Sequence, residues 1–391
     1  MLAKTKLLLP ALALALSSGA VLAQEKLKVG IMVTLSGPPA ALGQQVRDGF
    51  NLAVKQLGGK LGGVETEVVV VDDELKPDVA VGKVKGLLER DNVQFVVGPI
   101  FSNILQAIHK PVTESNAFLV SPNAGTSNFA GAQCHPNFYV TSYQNDQSHE
   151  VLGKYAQDKG FKRLFLMAPN YQAGRDALAG VKRHFKGEVV SEVYVPLNQL
   201  DFSAELAQIA AAKPDALFTF MPGGMGVNLV RQYRQAGLAD AVPFLSAFTV
   251  DESTLPAQKE AAVGMYGGAN WAPDMKNEQS QAFVKAYEAA YNVVPGTYAM
   301  QAYDAALLID SAIKSAGGKV SDRNAVRAGL RKADFQSLRG NFKMGVNGYP
   351  IQDFYLVQVV PRPDGKFQTS IRTKIFENYV DVYAKDCKPA G

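Results

Sequence analysis

The sequence predicts an α/β protein with two doubly wound, parallel-sheet lobes. Strand-like and helix-like segments alternate along the chain from Leu27, and the same alternation begins again at Asp146. The strand-like segments are continuous apolar runs, which is typical of parallel strands covered by helices on both faces. With 391 residues, the chain is long enough for two domains of ordinary size.

The first lobe is predicted from four strand–helix units. After Gly43, apolar residues recur every three or four positions in a helix that Gly58 ends, and Pro77 opens a second helix. The predicted strands of this lobe lie at 27–33, 68–71, 95–97 and 117–120. Because strands and helices alternate, the strands are expected to be parallel.

The second lobe is predicted to start with a helix over 146–159, which Gly160 ends. Helical patterns follow near 173–185, 203–210 and 226–236, and the predicted strands lie at 164–167, 189–195 and 216–220. Three helical segments between 277 and 331 come next, and the chain is strand-like from Phe342 onward.

Composition and charge narrow the classes of function. Hydrophobic residues make up 47% of the chain and charged residues 19%, as in globular proteins and unlike disordered or fibrous chains. The 40 basic and 36 acidic residues give a formal charge of +4, and without Lys4 and Lys6 the balance is 38 − 36 = +2. A charge this close to zero gives no electrostatic reason to bind nucleic acid or an anionic membrane.

The N-terminal residues predict export. Lys4 and Lys6 precede the apolar run Leu7–Leu16, and small residues follow up to Ala23. This is the layout of a signal peptide, residues 1–23, cleaved after Ala23. The run is shorter than the roughly 20 residues of a membrane-spanning helix. We therefore expect a periplasmic protein without membrane insertion, and a retained N-terminal anchor is the alternative.

Two cysteines, Cys134 and Cys387, are the only ones in the chain. An even number of cysteines in an exported protein favours one disulfide. Such a bridge would close a long loop and is worth about 4–5 kcal/mol in the chain-entropy account. Two unpaired thiols are the alternative.

Motifs for catalysis are missing from the sequence. No Gly-Lys pair is followed by Ser or Thr, and Gly223–Gly226 lacks the spacing of a dinucleotide fingerprint. His149 and Glu150 begin like a zinc-protease motif, but Gly153 stands at the position of its second histidine. The four histidines lie on different predicted elements. The sequence therefore predicts a binding protein rather than an enzyme, with no metal site and no cofactor.

Two polar loops follow the third and fourth predicted strands, Gly98–Asn103 and Ser121–Thr126. In open parallel sheets, ligands bind beyond the carboxyl ends of the strands and against helix N-termini. Backbone amides and the hydroxyls of Ser102 and Thr126 could hold a carboxylate there, or the two hydroxyls could simply cap helices.

Several short motifs occur in the order found in a known family. They are Val29-Gly30-Ile31, Leu35–Pro38, Val70–Asp73 with Pro77, Val97–Pro99, Ser121–Ala124, Tyr171 with Gly174, and Tyr303–Ala305. In these motifs the chain resembles the periplasmic leucine/isoleucine/valine-binding proteins, the type I solute-binding proteins of ABC importers. The aromatic-compound-binding members of this family are the most similar.

The resemblance implies two lobes that close on a ligand and are joined by three crossovers, near 141–145, 270–276 and 344–351. It assigns residues 24–142 plus 275–345 to the first lobe and residues 143–274 plus 346–391 to the second. Cys134, Trp271 and Tyr349 would then lie near the hinge. Members of this family deliver their ligand to the membrane subunits of the importer and are typically monomers.

The resemblance also implies which residues bind the ligand. Loop hydroxyls and amides of the first lobe hold the carboxylate, and Tyr171 matches an aromatic residue that closes from the second lobe. Phe248 stands where an acidic residue normally meets the α-ammonium group, and Leu42 stands where some relatives carry Trp. The expected ligand-binding residues are Phe101, Ser102, Asn103, Asn123, Ala124, Thr126, Tyr171, Phe248, Thr249, Leu42 and Trp271.

The departure at Phe248 bears on the class of ligand. Because a buried ammonium without an anionic partner costs several kcal/mol, we expect a carboxylate without one, such as an aromatic acid of the benzoate or phenylpropanoid type. If the loop shifts, Asp251 or Glu252 could supply the anion, and a branched-chain amino acid is then the alternative ligand. A ligand sensor for a membrane receptor and a secreted hydrolase are more distant alternatives.

Overall fold

The structure is a computed structural model that describes residues 26–388, and it contains two β-sheets. The expected signal peptide and its cleavage site lie outside the described residues. The first sheet has six strands in the order β2-β3-β1-β4-β5-β6. They are β1 (Leu27–Val33), β2 (Lys60–Leu61), β3 (Val64–Asp72), β4 (Phe95–Val97), β5 (Phe118–Ser121) and β6 (Phe138–Val140). All neighbours pair in parallel except β2 and β3.

The second sheet has eight strands in the order β12-β13-β11-β10-β9-β7-β8, and β14 pairs with β13. They are β7 (Arg163–Pro169), β8 (Glu188–Val195), β9 (Ala216–Thr219), β10 (Phe244–Ser246), β11 (Tyr266–Ala269), β12 (Phe342–Met344), β13 (Pro350–Pro361) and β14 (Phe367–Tyr379). Strands β7 to β11 pair in parallel, and β12, β13 and β14 add antiparallel pairs at one side.

Helices connect the parallel strands and cover both sheets. They are α1 (Ala40–Gln56), α2 (Pro77–Glu89), α3 (Ser102–Thr113), α4 (Ser127–Ala130), α5 (Gln147–Asp158), α6 (Gln172–His184), α7 (Ser203–Ala212), α8 (Gly224–Gln235), α9 (Leu255–Gln258), α10 (Glu278–Tyr291), α11 (Thr297–Ser315) and α12 (Arg323–Lys332). Every residue of β4 and β5 is buried, as expected for parallel strands between two helical layers. The predicted α/β fold with two lobes is confirmed.

The chain passes between the two lobes three times. It leaves the first lobe after β6 and returns to it after β11. The return is evident from α10 and α11, which pack on α1 of the first lobe. The Tyr291 hydroxyl donates to the carbonyl of Asp48 at 3.1 Å, and the Gly296 amide donates to Oε1 of Gln45 at 2.7 Å. After α12 the chain enters the second sheet at β12. The residue boundaries of the lobes stay a prediction, and residues 342–344, expected in the first lobe, pair with β13 of the second sheet.

One backbone carbonyl joins the three connections. The carbonyl oxygen of Ser142 accepts hydrogen bonds from Nδ2 of Asn270 at 3.0 Å, Nη1 of Arg339 at 3.0 Å and Nε2 of Gln352 at 2.6 Å. Arg339 also forms a fully buried ion pair with Asp304 at 2.9 Å. We call Ser142, Asn270, Arg339 and Gln352 the hinge hub. Because each connection contributes to it, the hub fixes where the two lobes meet.

The two cysteines are bonded, as the even count favoured. Cys134, between α4 and β6, pairs with Cys387, which follows β14; their Cα atoms are 5.6 Å apart and their sequence separation is 253. One cysteine therefore follows strands of the first sheet and the other follows the last strand of the second. The disulfide is a covalent tie between the lobes in addition to the three connections.

Removing the disulfide should destabilise the protein. We expect the double substitution Cys134→Ser with Cys387→Ser to lower the free energy of unfolding by about 2–5 kcal/mol, because the unfolded chain regains the entropy of a long loop. Denaturant unfolding measures the change, and the wild-type chain unfolded with reductant should match the double variant. An unchanged unfolding midpoint in both samples would contradict this stabilising role.

Candidate functional site

A narrow cavity of about 20 Å³ lies between the lobes, beyond the carboxyl ends of β4, β5, β7, β9 and β10. This is the edge at which open parallel sheets bind ligands. Because the cavity has room for only about one water molecule, the lobes must move apart to admit a ligand. The residues that line it are Ile100, Phe101, Ser102, Asn123, Tyr143, Asn145, His149, Tyr171, Ala173, Phe220, Pro222, Phe248 and Tyr298.

The turn from β4 into α3 requires glycine and directs a helix N-terminus at the cavity. Gly98 has a φ of +136°, and a Cβ there would lie 2.0 Å from the carbonyl oxygen of Met32. Phe101, which precedes α3, provides no side-chain cap. The first backbone N–H groups of α3 therefore lack an intrahelical partner, and they carry the positive end of the helix dipole toward the ligand space.

Ser102 is fixed by a polar network that joins both lobes. Its Oγ accepts a hydrogen bond from Nδ2 of Asn145 at 3.1 Å, and Asn145 also donates to Oδ2 of Asp176 at 2.9 Å. Asp176, on α6 of the second lobe, accepts a further bond from the Ser127 hydroxyl of the first lobe at 2.7 Å. Since Ser102 accepts in this network, its own hydroxyl proton is free to be donated to an anion.

Asn123 is held on two sides at the same end of the cavity. Its Nδ2 donates to the carbonyl of Ile100 at 2.8 Å, and its Oδ1 accepts from the Tyr143 hydroxyl at 2.7 Å. Ala124 and Thr126 follow in the same loop and are buried behind the lining. The loop after β5 thus fixes the position of Asn123 and Tyr143.

Aromatic rings from both lobes form the other walls. The Tyr171 ring lies between those of Phe101 and Phe220, with centroids 6.3 Å from each. The Phe248 ring stacks on Tyr143, with centroids 5.0 Å apart, and meets Phe220 edge-on at 6.4 Å. These are ordinary aromatic packing geometries, so the walls offer both ring faces and ring edges to a ligand.

Phe248 is held in an unusual backbone conformation. Its φ of +59° lies in the left-handed region, which costs a bulky residue roughly 1–3 kcal/mol. The next residue anchors the loop, because Oγ1 of Thr249 accepts from the amide of Met221 at 2.8 Å and its carbonyl accepts from Gln258 at 2.7 Å. These hydrogen bonds therefore hold the loop backbone in the conformation that brings the Phe248 ring to the cavity.

Within residues 26–388, no carboxylate, lysine or arginine lines this cavity. The two acids near Phe248 lie outside the lining. However, Oδ2 of Asp251 is buried without a hydrogen-bond partner among the described residues, and Asp251 acts electrostatically on Tyr143 and Tyr298. Oε1 of Glu252 accepts from the amide and the hydroxyl of Thr369 at 2.7 and 2.6 Å, and burial raises the pKa of Glu252 to about 7. Oδ1 of Asp251 accepts from the Ser253 amide at 2.8 Å, and burial raises the pKa of Asp251 as well.

The structure brings five of the expected ligand-binding residues together at the cavity: Phe101, Ser102, Asn123, Tyr171 and Phe248. The other six, Leu42, Asn103, Ala124, Thr126, Thr249 and Trp271, lie outside its lining. Leu42 is buried in the core of the first lobe. Trp271 is fully buried near the second connection, where its Nε1 donates to Oγ of Ser280 at 2.8 Å.

Sequence reasoning did not select Tyr143, Asn145, His149, Phe220 and Tyr298, which also line the cavity. Phe220 directly follows β9, so the rule that ligands bind at strand ends could have found it. Tyr143, Asn145 and His149 follow β6 and lie in or next to the first connection. Tyr298 is the second residue of α11, and only the return of α11 to the first lobe explains its place.

Among residues 26–388, no helix has both the length and the apolarity needed to cross a membrane. The same residues contain no cluster of three or more His, Cys, Asp or Glu side chains that could hold a metal ion.

Known proteins resemble this chain over nearly its whole length. Residues 26–366 match the model of a family described as periplasmic binding protein. The chain is 27% identical over 372 residues to the Leu/Ile/Val-binding protein homolog 6 of Brucella melitensis biotype 1, which covers 93% of this chain and 95% of that protein.

Solved structures agree in fold. An ABC transporter solute-binding protein from R. palustris, in complex with benzoate, has a TM-score of 0.87 and 32% identity and covers 93% of this chain and 100% of that one. A solute-binding protein from Rhodopseudomonas palustris BisB5, in complex with 3,4-dihydroxy benzoic acid, has a TM-score of 0.84 and 28% identity over 91% of this chain and 99% of that one. The resemblance inferred from the motifs is confirmed, and the chain belongs to the periplasmic binding protein family, with the fold of the solute-binding proteins of ABC transporters.

Proposed function

We propose that this solute-binding protein captures a small aromatic carboxylate, of the benzoate or phenylpropanoid type, and delivers it to an ABC importer. One observation carries the proposal: the cavity between the lobes combines an uncapped helix N-terminus with aromatic walls and has no carboxylate in its lining. The protein acts by binding and closure, and the proposal includes no catalytic step.

The carboxylate binds at the start of α3. There the backbone N–H groups, the helix dipole and the Ser102 hydroxyl all favour negative charge. Charge-assisted hydrogen bonds to a carboxylate are shorter and stronger than neutral ones. The bond from Asn145 holds Ser102 in place, so little side-chain freedom is lost when the ligand binds.

The ring of the ligand binds between aromatic side chains of both lobes. Tyr171, Phe220 and Phe248 contribute from the second lobe, and Phe101 from the first. Each such contact is worth about 0.5–1.5 kcal/mol beyond the burial of area. Because the ring of a planar aromatic acid is rigid, the ring loses no conformational freedom when it makes these contacts.

An amino acid is a poorer fit to this lining. Its ammonium group would be buried without an anionic partner, which is costly in a closed site. Glu252 is committed to Thr369, and Asp251 lies outside the lining. The relatives support both classes of ligand, amino acids and aromatic acids. The Brucella relative is a Leu/Ile/Val-binding protein homolog, and the R. palustris proteins hold benzoate-type acids. A branched-chain amino acid is therefore the second candidate ligand.

Closure of the lobes completes the site. At the mouth of the cleft, the amide of Gly224 donates to the carbonyl of Pro38 at 3.2 Å, which joins the second lobe to the first. Asp176 and Ser127 join the lobes at the network around Ser102. A ligand held by both lobes shifts the equilibrium to the closed form by its differential affinity for that form.

In the cell, we propose, the chain is exported by its signal peptide, cleaved after Ala23, and works in the periplasm as a monomer. The closed, ligand-bound form is then recognised by the membrane subunits of the importer, which take over the acid.

The ligand class is tested by titration calorimetry of the purified protein. We expect benzoate to bind with a Kd of about 1 μM or tighter, near −8 kcal/mol. Leucine, isoleucine and valine should bind at least about a hundredfold more weakly, because their ammonium group finds no partner. Tight leucine binding with no benzoate binding would contradict the proposal and favour the second candidate.

The carboxylate subsite is tested by Ser102→Ala. We expect benzoate affinity to fall by about tenfold, because one hydrogen bond to a charged group is lost. Ser321→Ala is the matched control, since Ser321 is exposed and precedes α12 outside the cavity. Equal benzoate affinity of the two variants, measured by calorimetry, would place the carboxylate elsewhere.

The closure step is tested at the mouth of the cleft. A Cβ on Gly224 would lie 2.6 Å from Cβ of Pro38, so Gly224→Ala obstructs the closed form without touching the cavity. We expect benzoate affinity to fall by roughly fivefold or more. Gly82→Ala is the control, because a Cβ on Gly82 meets nothing within 4 Å. If both variants bind benzoate like the wild type, this contact does not take part in closure.

A further inference from the structure

The cavity contains one polar side chain that the carboxylate subsite does not use. His149 is the third residue of α5, is 2% exposed and lines the cavity. Its Nδ1 is buried with no hydrogen-bond partner among the described residues. A buried ring nitrogen without a partner is costly, so a side chain left in this state within a ligand cavity points to a partner that the ligand supplies.

The surroundings of His149 are aromatic. Its ring meets those of Phe218, Phe220 and Phe248 edge-on, with centroids 5.7, 5.2 and 6.0 Å away. Burial alone lowers the pKa of His149 to about 3, and no charged neighbour contributes. The imidazole is therefore neutral, with one nitrogen that donates and one that accepts.

We propose that His149 is a specificity-determining residue that hydrogen-bonds a hydroxyl group on the ring of the bound aromatic acid. This inference rests on the proposed function and names a subclass of its ligands, the hydroxylated aromatic acids. A phenolic hydroxyl can both donate and accept, so it can satisfy either nitrogen of a neutral imidazole. The apolar ring of an unsubstituted acid leaves the nitrogen unpaired.

The position of His149 suits a second polar group on the ligand. The carboxylate subsite contains Ser102, which is bonded to Asn145, and His149 lies four residues after Asn145 at the start of α5. Ser102 and His149 therefore approach the cavity from two different helices, α3 and α5. A hydroxylated aromatic acid carries polar groups at two points of its ring, so one molecule can contact both residues.

A carboxylate partner for His149 is less suitable. A neutral imidazole has only one N–H to offer to an anion, whereas α3 offers several backbone amides and a dipole. An anion beside His149 would also favour the imidazolium form and draw a proton into the cavity on binding. Proton uptake on binding therefore distinguishes a ligand carboxylate beside His149 from a ligand hydroxyl beside His149.

The experiment compares benzoate, 3-hydroxybenzoate and 4-hydroxybenzoate by titration calorimetry on the wild type, on His149→Phe and on His149→Asn. We expect the wild type to bind at least one hydroxylated acid about tenfold tighter than benzoate. His149→Phe should remove this preference and leave benzoate affinity within about threefold. His149→Asn, which keeps a donor and an acceptor, should retain part of the preference.

His109→Phe is the matched control. His109 lies in α3, is also buried and stacks on Phe129 at 3.7 Å, and its Nε2 also lacks a partner, but it does not line the cavity. This variant should keep the wild-type preference for the hydroxylated acid. Thermal unfolding of each variant checks that it is folded, and the wild-type comparison alone tests the inference if His149→Phe does not fold.

The outcomes separate the two proposals. If the wild type binds no aromatic acid, the proposed function fails. If it binds benzoate and both hydroxybenzoates equally, or if His149→Phe keeps the preference, the proposed function stands and the role of His149 is wrong. Titrations in buffers of different ionisation enthalpy should show no proton uptake, and uptake of a proton that disappears in His149→Phe would instead assign the carboxylate to His149.

Discussion

The position of the two lobes relative to each other depends on the hydrogen bonds that the carbonyl oxygen of Ser142 accepts. This oxygen accepts hydrogen bonds from Asn270, Arg339 and Gln352, so the three connections meet at one atom. The Arg339 guanidinium is buried together with Asp304, and a buried charge of this kind is stable only while its partners stay in place. Lobe movement is therefore expected to occur around the hub, with the disulfide as a further tie.

This arrangement explains why the site forms where it does. The residues directly after Ser142 line the cavity: Tyr143 stacks on Phe248, and Asn145 bonds to Ser102 in the first lobe and to Asp176 in the second. The first connection thus serves as both hinge and wall of the cavity. A ligand that contacts this segment and both lobes is positioned to stabilise closure through its contacts alone.

Much of the fold followed from local patterns. Continuous apolar strands between helices predicted parallel sheets, and the even number of cysteines favoured the disulfide. The antiparallel pairs of β12, β13 and β14 were not predicted, because pairing at the side of a sheet depends on tertiary contacts that a strand-like segment does not encode. The resemblance implied that the three helices α10, α11 and α12 return to the first lobe. No local sequence pattern predicts this return either.

The site was predictable where residues directly follow strands. Phe101, Ser102 and Asn123 come after β4 and β5, Tyr171 after β7 and Phe248 after β10, and all five line the cavity. Tyr298 and His149 could not be found in this way, because helix packing and the first connection bring them to the cavity. Trp271 was chosen for its aromatic ring, but its indole is used within the core, where it bonds to Ser280.

A crystal structure of the protein with bound benzoate would locate the ligand and its carboxylate. We expect the carboxylate to accept hydrogen bonds from the first amides of α3 and from Ser102, with the ring against Tyr171, Phe220 and Phe248. A benzoate bound outside this cavity, or one whose carboxylate contacts the second lobe while the start of α3 stays empty, would contradict this expectation.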